Sequence, residues 1–157
     1  MIATLNKRLA QTSDLPGLTE LLADAQRQMQ QAGITQWNPR YPNPDTLRAD
    51  IDQQLLWLYG RDQRAAITLT LADNTLQLHR LMVHSECRGH GLATQILQDL
   101  IAVAASRDLS GLQITTNHTN RPMMHLLEKA DFQLTREFLM PDRTAYGAFY
   151  EYNYALN

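Results

Sequence analysis

Apolar positions along the chain switch repeatedly between two periods, and each switch marks an element. Leu15, Leu18, Leu22, Ala25 and Met29 return at the spacing of one helix face. Asp14 or Ser13 is the cap, Pro16 falls in the first turn, and the run stops near Gly33. Before it, Ala3 to Ala10 reads as a strand whose pattern is blunted by Lys7 and Arg8. After it, the three prolines between Ile34 and Asp45 forbid a helix and disfavour a paired central strand. Asn43 then caps a second helix, with Pro44 at its first position and Leu47, Ile51 and Leu55 on its inner side. Leu56 to Tyr59, Ala65 to Leu71 and Gln77 to Val83 are expected strands, and Asp73 with Asn74 turns the chain between the last two.

The second half continues in the same way. Leu92, Ile96, Leu97, Leu100, Val103 and Ala104 define a helix from Gly91, and Ser110 with Gly111 ends that unit. Leu112 to Thr116 is the next strand. Asn120 or Thr119 caps a helix with Pro122 in its first turn; it carries Met123, Leu126 and Leu127 and gives way at Asp131. Phe132 to Met140 and Tyr146 to Leu156 close the chain as strands. The order β-α-α-β-β-β-α-β-α-β-β is neither strictly alternating nor segregated. It predicts an α/β (α+β) domain, a mixed sheet of about seven strands with helices on both faces.

Composition narrows the function. At 157 residues, 44% apolar and 19% charged, the chain suits one ordinary globular domain over residues 1–157. A formal net charge of −2 gives no reason to expect nucleic-acid or anionic-membrane partners. The first residues lack the apolar run of a signal peptide, and no segment is long enough to span a bilayer, so the cytoplasm is the expected compartment. The single cysteine, Cys87, excludes an internal disulfide framework and a cysteine-rich metal site, and no metal is expected.

The stretch that carries chemistry is Leu81 to Ala93. A strand feeds a turn containing Arg88, Gly89, His90 and Gly91, and a helix opens at Leu92. Backbone N–H groups at such a helix start have no intrahelical partner, and the macrodipole favours negative charge there. Gly89 and Gly91 leave no side chain between a phosphate and the backbone. A Walker loop would need Lys followed by Ser or Thr, and a dinucleotide fingerprint would need a third glycine where Thr94 stands.

Leu81-x-Val83, four further residues and then Arg88-x-x-Gly91-x-Ala93 resembles the acetyl-CoA pyrophosphate loop of the GNAT superfamily of N-acetyltransferases. Asn120, Leu126, Glu128, Lys129 and Phe132 match that family's late helix, N-x-x-A-x-x-L-Y-E-K-x-G-F, in order and spacing. The element order is similar to the GNAT fold over essentially the whole chain. Gln36, Trp37, Asn38, Tyr41, Pro42 and Asn43 look like a loop of some bacterial GNAT proteins of unassigned substrate. The resemblance implies a mostly antiparallel sheet and an acyltransferase that moves the acetyl group of acetyl-CoA to a primary amine by direct attack. It implies that Met82 or Val83 offers a backbone N–H to the thioester carbonyl, and that Leu81 to Val83 pair with the pantetheine amides. Arg88, Gly89, His90, Gly91, Leu92 and Ala93 would hold the pyrophosphate, while Asn120 and Met123 would border the pantetheine arm.

One position departs from the pattern. The tyrosine that protonates the thiolate in this family is replaced here by Leu127. Tyr146, Tyr150, His125 or water would have to substitute. His79, His84 and His118 are candidates for the general base, since imidazole titrates near neutrality. His79 shares the parity of Leu81 and Val83 along its strand; its plainer reading is a buried histidine bonded to a neighbour. His90 reads as a solvated loop residue beside a phosphate. Cys87 next to Arg88 has the surroundings of an activated thiol, yet a covalent route wants a positioned base. Trp37 and Tyr41 are walls of an acceptor pocket or packing over the sheet. Glu20, Asp24, Asp50 and Asp52 read as solvated helix faces. The alternative to an enzyme is a catalytically weakened acetyl-CoA-binding sensor or partner module, and a longer acyl-CoA is a third option. A homodimer through Tyr146 to Leu156 as an exposed sheet edge is a further expectation.

Overall fold

The computed structural model describes residues 5–38 and 40–156. Ala3 and Thr4 of the expected first strand, and Pro39 of the proline-rich loop, lie outside the described residues. Strands β1 (Lys7–Leu9), β2 (Leu56–Tyr59), β3 (Ala65–Ala72), β4 (Thr75–Val83), β5 (Gly111–Asn117), β6 (Gln133–Leu139) and β7 (Ala148–Ala155) form one sheet. Its order is β1-β2-β3-β4-β5-β7-β6, and only β4 and β5 run parallel. Helices α1 (Leu15–Gln31) and α2 (Pro44–Asp52) cover one face, and α3 (Leu92–Ser106) and α4 (Arg121–Lys129) the other.

Local chemistry sets the helix limits. Asn43 accepts from Thr46 N–H at 3.0 Å and Asn120 from Met123 N–H at 3.3 Å, each satisfying an otherwise orphaned donor. Leu18, Leu21, Leu22 and Ala25 of α1 pack with Leu47 and Ile51 of α2 over Leu56, Leu58, Ala66 and Met82. Ile96, Leu97, Leu100, Ala104 and Leu127 fill the other side against Ile67, Leu76, Leu78, Leu112 and Tyr152. Helix α2 ends at Asp52, so Leu55 stands beyond it rather than on its inner face.

Two features were not expected. First, β7 lies between β5 and β6, so it presents no free edge; the expected dimer pairing through the last strand is corrected, and β6 is the edge instead. Second, β4 carries a bulge. Ala66 faces Met82 and Thr68 faces His79, so Ile67 alone opposes Arg80 and Leu81, with Arg80 at φ 51°. The bulge reverses the side-chain parity of the strand. Leu76 and Leu78 face α3 before it, and Leu81 and Val83 do so after it, while Met82 packs under α1.

Candidate functional site

The parallel pairing of β4 with β5 stops at Leu78 and Ile114. Beyond that point β5 keeps its bonds to β7, and the last residues of β4 keep theirs to β3, so a gap opens between the two central strands. His84 N–H donates to Arg64 carbonyl at 2.8 Å. Alternation of the antiparallel ladder then turns the N–H and C=O of Val83 away from β3 and into the gap, while those of Met82 point to Ala66.

One cavity, of about 360 Å³, lies at this opening, bordered by α1 on one side and by α3 and α4 on the other. Leu81 to Val83 form one wall, Arg88, Gly89 and Gly91 to Thr94 its floor, and Asn120, Met123 and Leu126 the opposite wall. The loop arrives by a short 3-10 turn over Ser85–Cys87. Gly89 and Gly91 stand at φ 78° and 76°, a region costly for any side chain, and nothing lies within 4 Å of where a Cβ would be. The first bond of α3 is Gln95 N–H to Gly91 carbonyl, at 3.0 Å. Leu92, Ala93 and Thr94 N–H groups are thus left without helical partners, no side chain caps them, and the first turn holds no acidic residue. Such an opening suits a phosphate. Of the expected phosphate-loop residues, His90 is exposed and does not line the cavity.

A buried carboxylate fixes this wall. Asp24, expected as solvated, is 6% exposed and accepts from Ser85 N–H at 2.9 Å and Ser85 Oγ at 2.7 Å. It also holds Gln28, whose Nε2 reaches Asp24 at 2.7 Å and Val83 carbonyl at 3.0 Å. Burial pushes the Asp24 carboxyl up, but the bonds from Ser85 and Gln28 outweigh it and keep it below the usual range. Gln28 was not anticipated; its place on the apolar side of α1, four residues past Asp24, was the available signal.

The second cavity, of about 270 Å³, lies on the α1 and α2 face, over the part of the sheet that those helices leave uncovered. Trp37 and Tyr41 line it together with His79, Arg80 and Arg143, and Trp37 also packs against the core under α1 and α2. His79 therefore faces away from Leu81 and Val83: the bulge overturns the expected shared parity. Its Nε2 lies 2.8 Å from Thr70 Oγ1, and Thr70 donates its own proton to Gln77 Oε1 at 3.1 Å. Gln77 passes a bond to Gln113 at 3.1 Å, and Gln113 to Asn153 at 3.3 Å. With Thr70 spent as a donor, it accepts from His79 Nε2–H, and the lone pair of the imidazole sits on Nδ1. Burial, aided by the Arg80 charge and opposed by Asp50, lowers the His79 pKa and favours the neutral ring.

Arg80 is aimed by the same bulge. It forms bonds of 2.7 and 2.8 Å to Asp50, which also accepts from Thr68 at 2.8 Å, and it reaches Tyr41 Oη at 3.1 Å. Asp50, like Asp24, is 6% exposed rather than solvated, whereas Glu20 and Asp52 are exposed as expected.

The remaining candidates are scattered. Leu127 is fully buried in the core, so the seat of the usual tyrosine is filled with hydrocarbon. Tyr146 lines neither cavity; its hydroxyl accepts from Asn38 and its ring lies under Arg143, which removes it as the acid at the first cavity. His84 accepts from Glu86 N–H at 3.1 Å and borders a separate hollow. His118 and His125 are exposed. Asn120 lines the first cavity, but its amide is engaged by Gln36 at 3.1 Å and Met123 at 3.3 Å. Cys87 lines the same cavity.

The sheet is thus open between two parallel strands, with one cavity at the uncapped start of α3 and a second, more polar one nearby. The Acetyltransferase (GNAT) family model matches residues 26–132, and the chain belongs to that family. An acetyltransferase of the GNAT family from Streptococcus agalactiae superposes with a TM-score of 0.83 at 22% identity, covering 98% of this chain and 96% of that one. The paia N-acetyltransferase of Thermoplasma acidophilum, solved in complex with coenzyme A, gives 0.76 at 15% identity over 98% and 99% of the two chains. The ribosomal-protein-S18-alanine N-acetyltransferase of Escherichia coli gives 0.73 at 15% identity over 98% and 95%. These likenesses establish the fold. No curated protein matches the chain.

Proposed function

We propose that the protein transfers the acetyl group of acetyl-CoA to a primary amine by direct attack. The carrying observation is that consecutive residues of β4 line both cavities: Leu81 to Val83 the one with the anion cradle, Leu78 to Arg80 the one across the gap. A thioester laid along the first meets an amine held in the second.

The residues divide the work by where they stand. Arg88 and the Leu92 to Thr94 N–H groups hold the pyrophosphate, and Leu81 with Val83 takes the pantetheine amides along the open edge. Val83 N–H polarises the thioester carbonyl; one such donor is worth roughly 3–4 kcal/mol in other oxyanion sites. His79 Nδ1 takes the ammonium proton, so the N–C bond forms while the C–S bond breaks. Water carries the second proton of the attacking nitrogen to the departing thiolate. Leu127 supports a second reading, a binding module that no longer turns over, because nothing at that position can serve as an acid.

Thiol release from acetyl-CoA with a panel of primary amines separates them. Amine-dependent release that falls at least tenfold in His79→Gln is expected. Stabilisation by acetyl-CoA without release for any amine would leave the binding module.

A further inference from the structure

The charges around the second cavity do not cancel. Arg80 is neutralised by Asp50 at 2.7 Å, and Arg136 by Glu151 at 3.2 Å. Arg143 has no carboxylate within 4.0 Å among the described residues. The other polar walls, Gln36, Gln77, Gln113 and Thr115, are neutral. This leaves one unpaired positive charge in the cavity.

Arg143 is also held in place. Its guanidinium carbon lies 4.7 Å from the centre of the Tyr146 ring, 5.3 Å from that of Tyr41 and 5.5 Å from that of Phe149. One terminal nitrogen donates to Gln36 carbonyl. A guanidinium has five N–H donors in a rigid plane, so most remain for a ligand, in the geometry that grips a carboxylate by two bonds. The aromatic contacts have already taken the rotamer entropy that an exposed arginine would lose on binding. At about 270 Å³ the cavity falls just under the usual small-molecule range of roughly 300–1,000 Å³, so the occupant is small.

Building on the amine-acetylation reading, we infer that the acceptor is a small amine bearing one carboxylate, an amino acid in chemical class, and that Arg143 is the side chain that binds that carboxylate. A second ammonium on the acceptor finds no unpaired acidic partner here, so diamines and polyamines are excluded by charge.

The test compares matched acceptors by thiol release from acetyl-CoA: free amino acids, the corresponding amino acid amides and the decarboxylated amines. The amides carry the more readily neutral amine, so a preference for the free acid cannot arise from amine basicity. The wild-type protein is expected to favour the free acid by about ten- to a hundredfold in kcat/KM, chiefly through KM, the range of a charge-assisted bidentate contact. Arg143→Gln should bring that ratio close to one, and Arg143→Lys should restore part of it. Equal use of amides or amines by the wild-type protein overturns the assignment, as does a ratio that survives Arg143→Gln. Release with none of the acceptors overturns acetyl transfer itself, a separate failure. The wild-type series decides the matter even where the variant folds poorly.

Discussion

Arg80 is the residue at which backbone and chemistry meet. A non-glycine residue at φ 51° costs on the order of 1–3 kcal/mol, and here the cost is offset by the ion pair with Asp50 and the contact with Tyr41. Arg80→Ala would leave Asp50 buried without its partner, so a stability loss of about 3 kcal/mol is expected in urea unfolding. A loss under about 1 kcal/mol would contradict the role given to the pair. His79 makes a second prediction. Its pKa is lowered in the fold, so the ring is neutral above the ordinary value of about 6.5 and gains a proton only as pH falls through the lower folded value. The rate profile for the acceptor should stay level down to about pH 6.5 and decline below it, and a limb centred above that pH would remove His79 as the base. The same depression stabilises the fold above about pH 6.5 and is lost as pH falls, so His79→Gln should flatten the stability curve there. Asp24 and Asp50 were misread from sequence, although each lies three residues beyond a buried leucine (Leu21 and Leu47) and so on the inner stripe of its helix. Acidic side chains are seldom buried without partners, and the partners, Ser85 and Arg80, are far away in sequence.

At the scale of elements, caps and turn residues made most boundaries legible. Asn43 with Pro44, Asn120 with Pro122, and the pair Asp73 and Asn74 each sit where sequence placed them, because their chemistry is local. The β4 bulge was not legible, since it is a matter of register between β3 and β4 and no residue of Leu78 to Val83 announces it. Nor was the inward position of β7: strand order depends on how β6 and β7 cross, which hydrophobic period does not encode. Gly111 gives the element-scale prediction. A Cβ there would stand 2.4 Å from Tyr154 carbonyl, in the β5–β7 ladder. Gly111→Ala should therefore destabilise the fold by about 3 kcal/mol or more, since backbone must shift, whereas Gly33→Ala, with open space around it, should show only the cost of its φ of 72°, about 1–2 kcal/mol. Equal effects at the two positions, by thermal unfolding, would contradict that contrast.

On the scale of the whole molecule, the glycine turn that opens α3 was readable because Arg88, Gly89 and Gly91 fall within one short stretch of sequence. The second cavity was readable only as Trp37 and Tyr41, since Arg143, Gln77 and Gln113 come to it from separate strands and turns. Both cavities lie where the pairing of β4 with β5 ends, and ligand binding there should raise the stability of the whole fold. The most direct measurement is thermal unfolding with and without acetyl-CoA, for the native chain and for Arg88→Glu. At about 100 times its dissociation constant, acetyl-CoA should stabilise the native chain by roughly 2.7 kcal/mol. The variant, folded to the same degree without ligand, should lose most of that shift. No shift in the native chain, or an equal shift in both, would contradict a pyrophosphate site at the start of α3.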